Sequence, residues 1–297
     1  MPVVEPNGGG LGATIRDLDL SKPLDGATFR KVIVALGRYG VLRFPGQTLS
    51  PARQAALGAT FGEIHASAKF RIPGTPEISM VSNIVENGVN IGYVDAGMIW
   101  HKDLTAHRPA GFATILHAIK VPRRDGKALG DTEFVNVQAA TDDLPSEIKE
   151  QLAKAVGIHS SENYNASVRA QGSKRPAFEQ LTVRNPPVSH PLLLTHPVTG
   201  KTVLYCDPGH VMRIEGLPDG VDGEALLKFL ADHQLQPKYR YAHSWTEGDA
   251  LMWDNLGTLH RGTLDYRADE PRLMNRCLIK GNKVFDPSFI DPILTGA

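Results

Sequence analysis

At 297 residues the chain is long enough for one large domain or two ordinary ones, with a substantial buried core. Hydrophobic residues make up 41% and charged residues 22%, which excludes a disordered or fibrous chain and fits a globular one. A formal net charge of zero excludes nucleic acid or a membrane surface as a partner held by bulk electrostatics.

The opening residues, Met1 to Gly10, have neither a charged nor an apolar leader, so no signal peptide is expected. No apolar run approaches the ~20 residues that cross a bilayer. Short β-like pieces come first. Phe29, Val32, Ile33 and Leu36 then recur at helical spacing and predict a helix from about Gly26 to Gly37. Val41–Phe44 reads as a strand closed by Pro45-Gly46. Ser50 before Pro51 pairs an N-cap with a first-turn proline and opens a helix to about Phe61.

From residue 78 onward strands dominate: Ile78–Ile84, Gly111–Val121, Pro191–Thr195, Thr202–Cys206, Tyr239–Trp245, Ala250–Asp254 and Arg272–Lys280. Turns rich in Gly, Pro and Asp separate them, which suits an antiparallel sandwich or barrel better than a βαβ succession. Helices interrupt near Ser146–Ala155 and Gly223–Gln234. Residues 157–190 are polar and lack periodicity; a stretch that long reads as a lid or as a disordered insertion. No repeat or linker divides the chain, so residues 1–297 are expected to form one domain. Cys206 and Cys277 are the only cysteines, too few for a disulfide framework, and point to the reducing cytoplasm.

Ile99-Trp-His101-Lys-Asp103-Leu holds the one His-x-acid triplet among eleven histidines. On an extended chain positions i and i+2 face the same way, so both side chains reach one ion while Lys102 points elsewhere. Chance alone supplies on the order of one such triplet in a chain of this acidity. The weight comes from downstream, where Trp253-Asp-Asn255 is followed by Leu259-His260-Arg-Gly. Two histidines and a carboxylate form the facial triad of non-haem iron(II) oxygenases. Three protein ligands leave three positions open, two for a chelating 2-oxo acid and one for dioxygen.

Arg272-Leu-Met-Asn-Arg276-Cys-Leu reads as the last core strand, with Arg272, Met274, Arg276 and Leu278 on its interior face. A buried arginine is costly unless it meets an anion, and its fork suits a carboxylate. Two buried arginines therefore ask for two anions.

These segments resemble the taurine and 2,4-dichlorophenoxyacetate dioxygenase family of iron(II)/2-oxoglutarate oxygenases. Trp100-His101-x-Asp103, Gly130-Asp-Thr132, Gly248-Asp…Trp253-Asp-Asn255…His260 and Arg272-x-Met-x-Arg276 match in order and spacing. So do Leu11-Gly-Ala…Asp19-Leu-Ser21 and Phe44-Pro-Gly-Gln47. The resemblance implies a mainly β fold with flanking helices around a double-stranded β-helix (jelly-roll) core. It implies that His101, Asp103 and His260 hold iron(II), that Thr132 and Arg272 bind the distal carboxylate of 2-oxoglutarate, and that Arg276 faces the substrate. Dioxygen and a small anionic organic substrate complete the reaction, which hydroxylates carbon, with C–O, C–S or C–N cleavage where the carbon bears such a group. A homo-oligomer, dimer or tetramer, follows by family analogy.

His210 stands where the taurine enzymes carry a phenylalanine, and it is expected to line the pocket, with Asn83 a second candidate. Ser67 replaces a sulfonate-binding histidine of those enzymes and Ala106 an aromatic, changes that suit a bulkier carboxylate such as an aryloxyalkanoate. A cupin-type oxygenase would need the triad but not Arg272 or Thr132. A catalytically silent jelly-roll binding module would tolerate loss of His101 or Asp103.

Overall fold

Two layers of unequal size, antiparallel except where Ala13–Arg16 runs parallel to Val41–Phe44, make the core of the computed structural model, which describes residues 2–173 and 186–295. The large sheet has eight strands in the spatial order Val3–Pro6, Ala13–Arg16, Val41–Phe44, Ala250–Asp254, Gly111–Lys120, Leu273–Lys280, Thr75–Ser82 and Arg71–Ile72. The small sheet has three: Arg240–His243, Thr132–Asn136 and Thr258–Gly262. Together with flanking helices they form the expected jelly-roll core.

Side-chain alternation explains how the large sheet is covered on both faces. Ile115, Met252, Cys277 and Ile279 point outward, where Val32, Ile33 and Leu36 of the Gly26–Tyr39 helix and Leu57 and Phe61 of the Pro51–Phe61 helix cover them. Leu116, Leu251, Trp253 and Met274 point inward, and meet Phe134 of the small sheet. The first helix is capped by Asp25, whose side chain accepts from the Thr28 amide, and the second by Ser50, which accepts from Arg53.

Three expectations need correction. Arg272 precedes the last strand, which begins at Leu273, although its side chain still turns inward. Pro191–Thr195 is two pieces, Val188–Pro191 and Leu193–Thr195, because they pair with different partners. Within 157–190, the strand Val156–His159 and the helix Ser161–Ala170 replace the structureless run expected there; residues 174–185 of the lid reading lie outside the described residues. Among the described residues no helix is long and apolar enough to cross a membrane.

Candidate metal centre and the two cavities beside it

The triad begins with backbone. The His101 amide donates to the His260 carbonyl at 3.0 Å and the His260 amide returns the bond at 2.9 Å, an antiparallel bridge that sets the two rings 4.2 Å apart. Asp103 follows on the same side. Lys102 goes the other way, wholly buried, its Nζ donating to the carbonyls of Leu256 at 2.8 Å and Thr258 at 3.0 Å.

One donor atom from each of His101, Asp103 and His260 lies within 4.8 Å of the others. Nε2 of His101 and of His260 stand 3.7 and 3.6 Å from the Asp103 carboxylate. The tautomer of His101 follows from its neighbours: Nδ1 lies 2.9 Å from the Ile99 carbonyl, which can only accept, so Nδ1 carries the proton and the Nε2 lone pair faces inward. Burial, followed by the neighbouring His101, pushes the His260 imidazole down to about 3, and burial likewise lowers His101. Burial works against a charge on Asp103, but His260, His101, Arg276 and the Thr114 hydroxyl outweigh it and hold the carboxyl below its usual range. His101 Nε2 and the Asp103 carboxylate are acceptors at that point, and His260 turns its Nε2 toward them while its Nδ1 has no partner. Two histidines and a carboxylate with ligand atoms this close suit a divalent cation.

The Trp253-Asp-Asn255 segment braces this centre. Thr114 Oγ1 donates to Asp103 Oδ2 at 2.7 Å, and Asn255 Nδ2 donates to that hydroxyl at 3.0 Å. Asn255 Oδ1 in turn accepts from Trp253 Nε1 at 3.1 Å. Asp254 faces away and caps the turn into the His260 strand, accepting from the Leu256 and Gly257 amides and pairing with buried His196 at 2.8 Å.

A first cavity opens beside the triad, lined among others by Thr132, Tyr266, Arg272 and Arg276. Arg272 is 4% exposed, its Nε has no hydrogen-bond partner, and its guanidinium lies 5.8 Å from the Tyr266 ring centroid. Burial pushes it below the usual guanidinium range, with Tyr266 the one neighbour pulling it back. Thr132 Oγ1 accepts from the indole of Trp245 at 3.0 Å. An indole N–H is donor only, so the threonine's own proton remains for an acceptor in the cavity. Gly130 has φ +74°, and a Cβ there would sit 3.1 Å from Arg272 Nε, so glycine keeps that guanidinium's place open.

A second cavity of about 260 Å³ shares His101, Asp103 and Arg276 with the first. His65, His107, Tyr93, Tyr164 and His210 complete its polar wall. His210 Nδ1 lies 2.6 Å from Asp207 Oδ2, and its ring stacks on Tyr164 at 4.7 Å. Arg276 Nε donates to Ser79 Oγ at 3.4 Å, and its guanidinium covers Tyr93 at 5.1 Å.

The fold thus brings His101, Asp103, His260, Thr132, Arg272, Arg276 and His210 to two joined cavities. Asn83 is placed elsewhere. Its amide donates to the Arg267 and Glu270 carbonyls at 3.0 Å each and its Oδ1 accepts from the Arg272 amide at 2.8 Å, which makes it a brace of the last strand. Tyr266, Trp245, Tyr164, Asp207, His65 and His107 were not assigned site roles from sequence. Asp207-Pro-Gly-His210 held a usable signal, an acid three residues before a histidine; the others carry no spacing that marks them.

A jelly-roll core with an inward two-histidine, one-carboxylate set beside an unmatched arginine defines a non-haem iron oxygenase of the 2-oxo-acid-dependent kind. The chain belongs to the taurine catabolism dioxygenase TauD, TfdA family, whose family model matches residues 4–278. It is an iron(II)- and 2-oxoglutarate-dependent dioxygenase. It is 33% identical over 264 residues to an alpha-ketoglutarate-dependent 2,4-dichlorophenoxyacetate dioxygenase of Burkholderia sp. (strain RASC), covering 84% of each chain. It is 30% identical to an alpha-ketoglutarate-dependent sulfate ester dioxygenase of Pseudomonas putida, covering 94% of this chain and 89% of that enzyme. Its fold superposes on the crystal structure of AAD-2 in complex with Mn(II) and N-oxalylglycine with a TM-score of 0.76 at 27% identity, covering 94% and 97% of the two chains.

Proposed function

We propose that His101, Asp103 and His260 hold the iron, that Thr132 and Arg272 take the distal carboxylate of 2-oxoglutarate, and that Arg276 faces a small anionic substrate in the second cavity, with His210 on its wall. The observation that carries this reading is Arg272, a buried guanidinium with an idle Nε that opens onto the cavity of the triad. A buried charge of this kind asks for an anion, and a cupin-type site or a silent binding module has no use for one.

When bound, iron supplies the activation of dioxygen, coupled to loss of carbon dioxide from 2-oxoglutarate and hydroxylation of the substrate. The chain's own residues do the placing. The Arg272 fork and the Thr132 proton hold one end of the 2-oxo acid, so that its other end meets the triad. Arg276, at the junction of the cavities, holds the substrate's anionic group while Tyr164 and His210 wall the space beside His101. Trp253 and Leu116 line the first cavity with apolar surface that keeps water from the reacting centre.

The polar second cavity supports a small, polar-headed substrate over the aryloxyalkanoate suggested by Ser67 and Ala106. Buried Cys206 and Cys277, both free, support a cytoplasmic location. A dimer or tetramer remains the expectation by analogy, and light scattering measures it. With iron(II), ascorbate and air, the protein turns 2-oxoglutarate into succinate, faster with the right substrate. If His101→Ala leaves that turnover intact, the assignment is wrong.

A further inference from the structure

Resting on the reading above, the second cavity carries more recognition chemistry than one anion needs. A monoanionic carboxylate or sulfonate is neutralised by Arg276 alone, whose planar fork is enough for two oxygens. Yet the same wall holds His65 and His107, their rings facing each other at 4.7 Å and 53°. None of their four ring nitrogens has a protein hydrogen-bond partner among the described residues. Ser67 and Ser79 add hydroxyls to the same corner, linked Oγ to Oγ at 3.3 Å, with Ser79 accepting from Arg276.

We propose that His65 and His107 are specificity-determining residues that, together with Arg276, select substrates whose head group is a dianionic tetrahedral oxyanion of the phosphonate or phosphate-monoester type. A phosphate monoester carries about 1.5 to 2 negative charges near neutral pH, a phosphonate reaches two at somewhat higher pH, and both present three strong acceptor oxygens. Arg276 answers one charge; the imidazole pair answers the second and donates to the remaining oxygen. In the free protein the balance keeps a proton off the pair. His65 is pushed down to about 4 by burial, then by His107, Lys280 and Arg276, with Asp103 opposing. His107 is lowered by burial, then by His210 and Lys280. A dianion placed among them reverses that balance, so binding draws a proton into the pair.

Methylphosphonate, methanesulfonate and acetate differ only in the head group and serve as probes. Each is titrated calorimetrically into the full-length protein loaded with Mn(II) and 2-oxoglutarate, in two buffers of different ionisation enthalpy at about pH 8.5, where free methylphosphonate is already the dianion and any proton the pair gains comes from the buffer. Methylphosphonate is expected to bind at least about tenfold more tightly than the other two and to take up a proton in doing so. His65→Asn and His107→Asn each lower its affinity about tenfold and leave methanesulfonate within about twofold, while Arg276→Leu weakens all three. Unchanged 2-oxoglutarate binding in the histidine variants shows that they are folded. Equal affinities for the three probes, no proton uptake, or equal losses for all three in the histidine variants overturn the proposal and leave the oxygenase reading standing. Failure of 2-oxoglutarate to bind before any probe is added overturns both.

Discussion

The two cavities share His101, Asp103 and Arg276, yet they are built from different parts of the fold. The first leans on strands, with Thr132 and His260 on the small sheet and Leu116, Trp253 and Arg276 on the large one, while His101, Asp103, Tyr266 and Arg272 come from segments tied to those strands. The second takes His65, Ser67, Tyr93, Leu104 and His107 from connecting segments, and Tyr164 from a helix. Strands fix donor positions through a hydrogen-bonded ladder, so the metal and the 2-oxo acid meet preset geometry. Connecting segments can change without disturbing the ladder, which suits the side that chooses the substrate.

The sharpest way to break this comparison is to remove the atom both cavities depend on. Asp103→Ala is expected to abolish both metal binding and succinate formation, read by metal content and turnover. Next comes the division of labour between the arginines. Arg272→Ala is expected to raise the 2-oxoglutarate requirement on the order of a hundredfold, about the cost of stripping one partner from a buried charge pair. Arg276→Ala should instead raise the requirement for the primary substrate; if both variants shift the same requirement, the two cavities are not functionally separate. Thr114→Val removes the hydroxyl that orients Asp103 and is expected to cost about tenfold or more in metal affinity. Trp245→Phe frees the Thr132 hydroxyl from its indole donor and should raise the 2-oxoglutarate requirement by about fivefold, the worth of one hydrogen bond.

The smallest effect at neutral pH lies behind both cavities. His159 is wholly buried between the His190 and Tyr205 rings, with neither ring nitrogen partnered. Burial first, then His190, pushes it down to about 3 from an ordinary value of 6.5. The unfolded chain therefore binds a proton that the folded one refuses, and stability falls as pH drops below 6.5, on the order of 1.4 kcal/mol per pH unit until about 3. His159→Phe should flatten that limb in urea titrations and leave stability near pH 8 free of the proton term.

What could be read from the sequence divides along the same line. His101, Asp103, Arg272 and Arg276 were legible because an extended chain alternates its faces, so spacing of two or four states a direction. The Gly26 and Pro51 helices announced themselves by periodicity and caps. The His260 strand was not legible as a strand: Thr258–Gly262 is five residues between turns, with a histidine and an arginine where apolar alternation would mark it. His65 and His107 lie on connecting segments on either side of the Arg71–Ile72 and Thr75–Ser82 strands, and only the fold makes them neighbours. Asn83 was misplaced for a related reason, since a polar residue at a strand end can brace backbone as readily as line a pocket.

The most direct test of the central claim is a calorimetric titration of 2-oxoglutarate into the protein with and without Mn(II). One metal-dependent site is expected, lost in Asp103→Ala and weakened about a hundredfold in Arg272→Ala. Binding that does not need the metal, or that Arg272→Ala leaves unchanged, would contradict it.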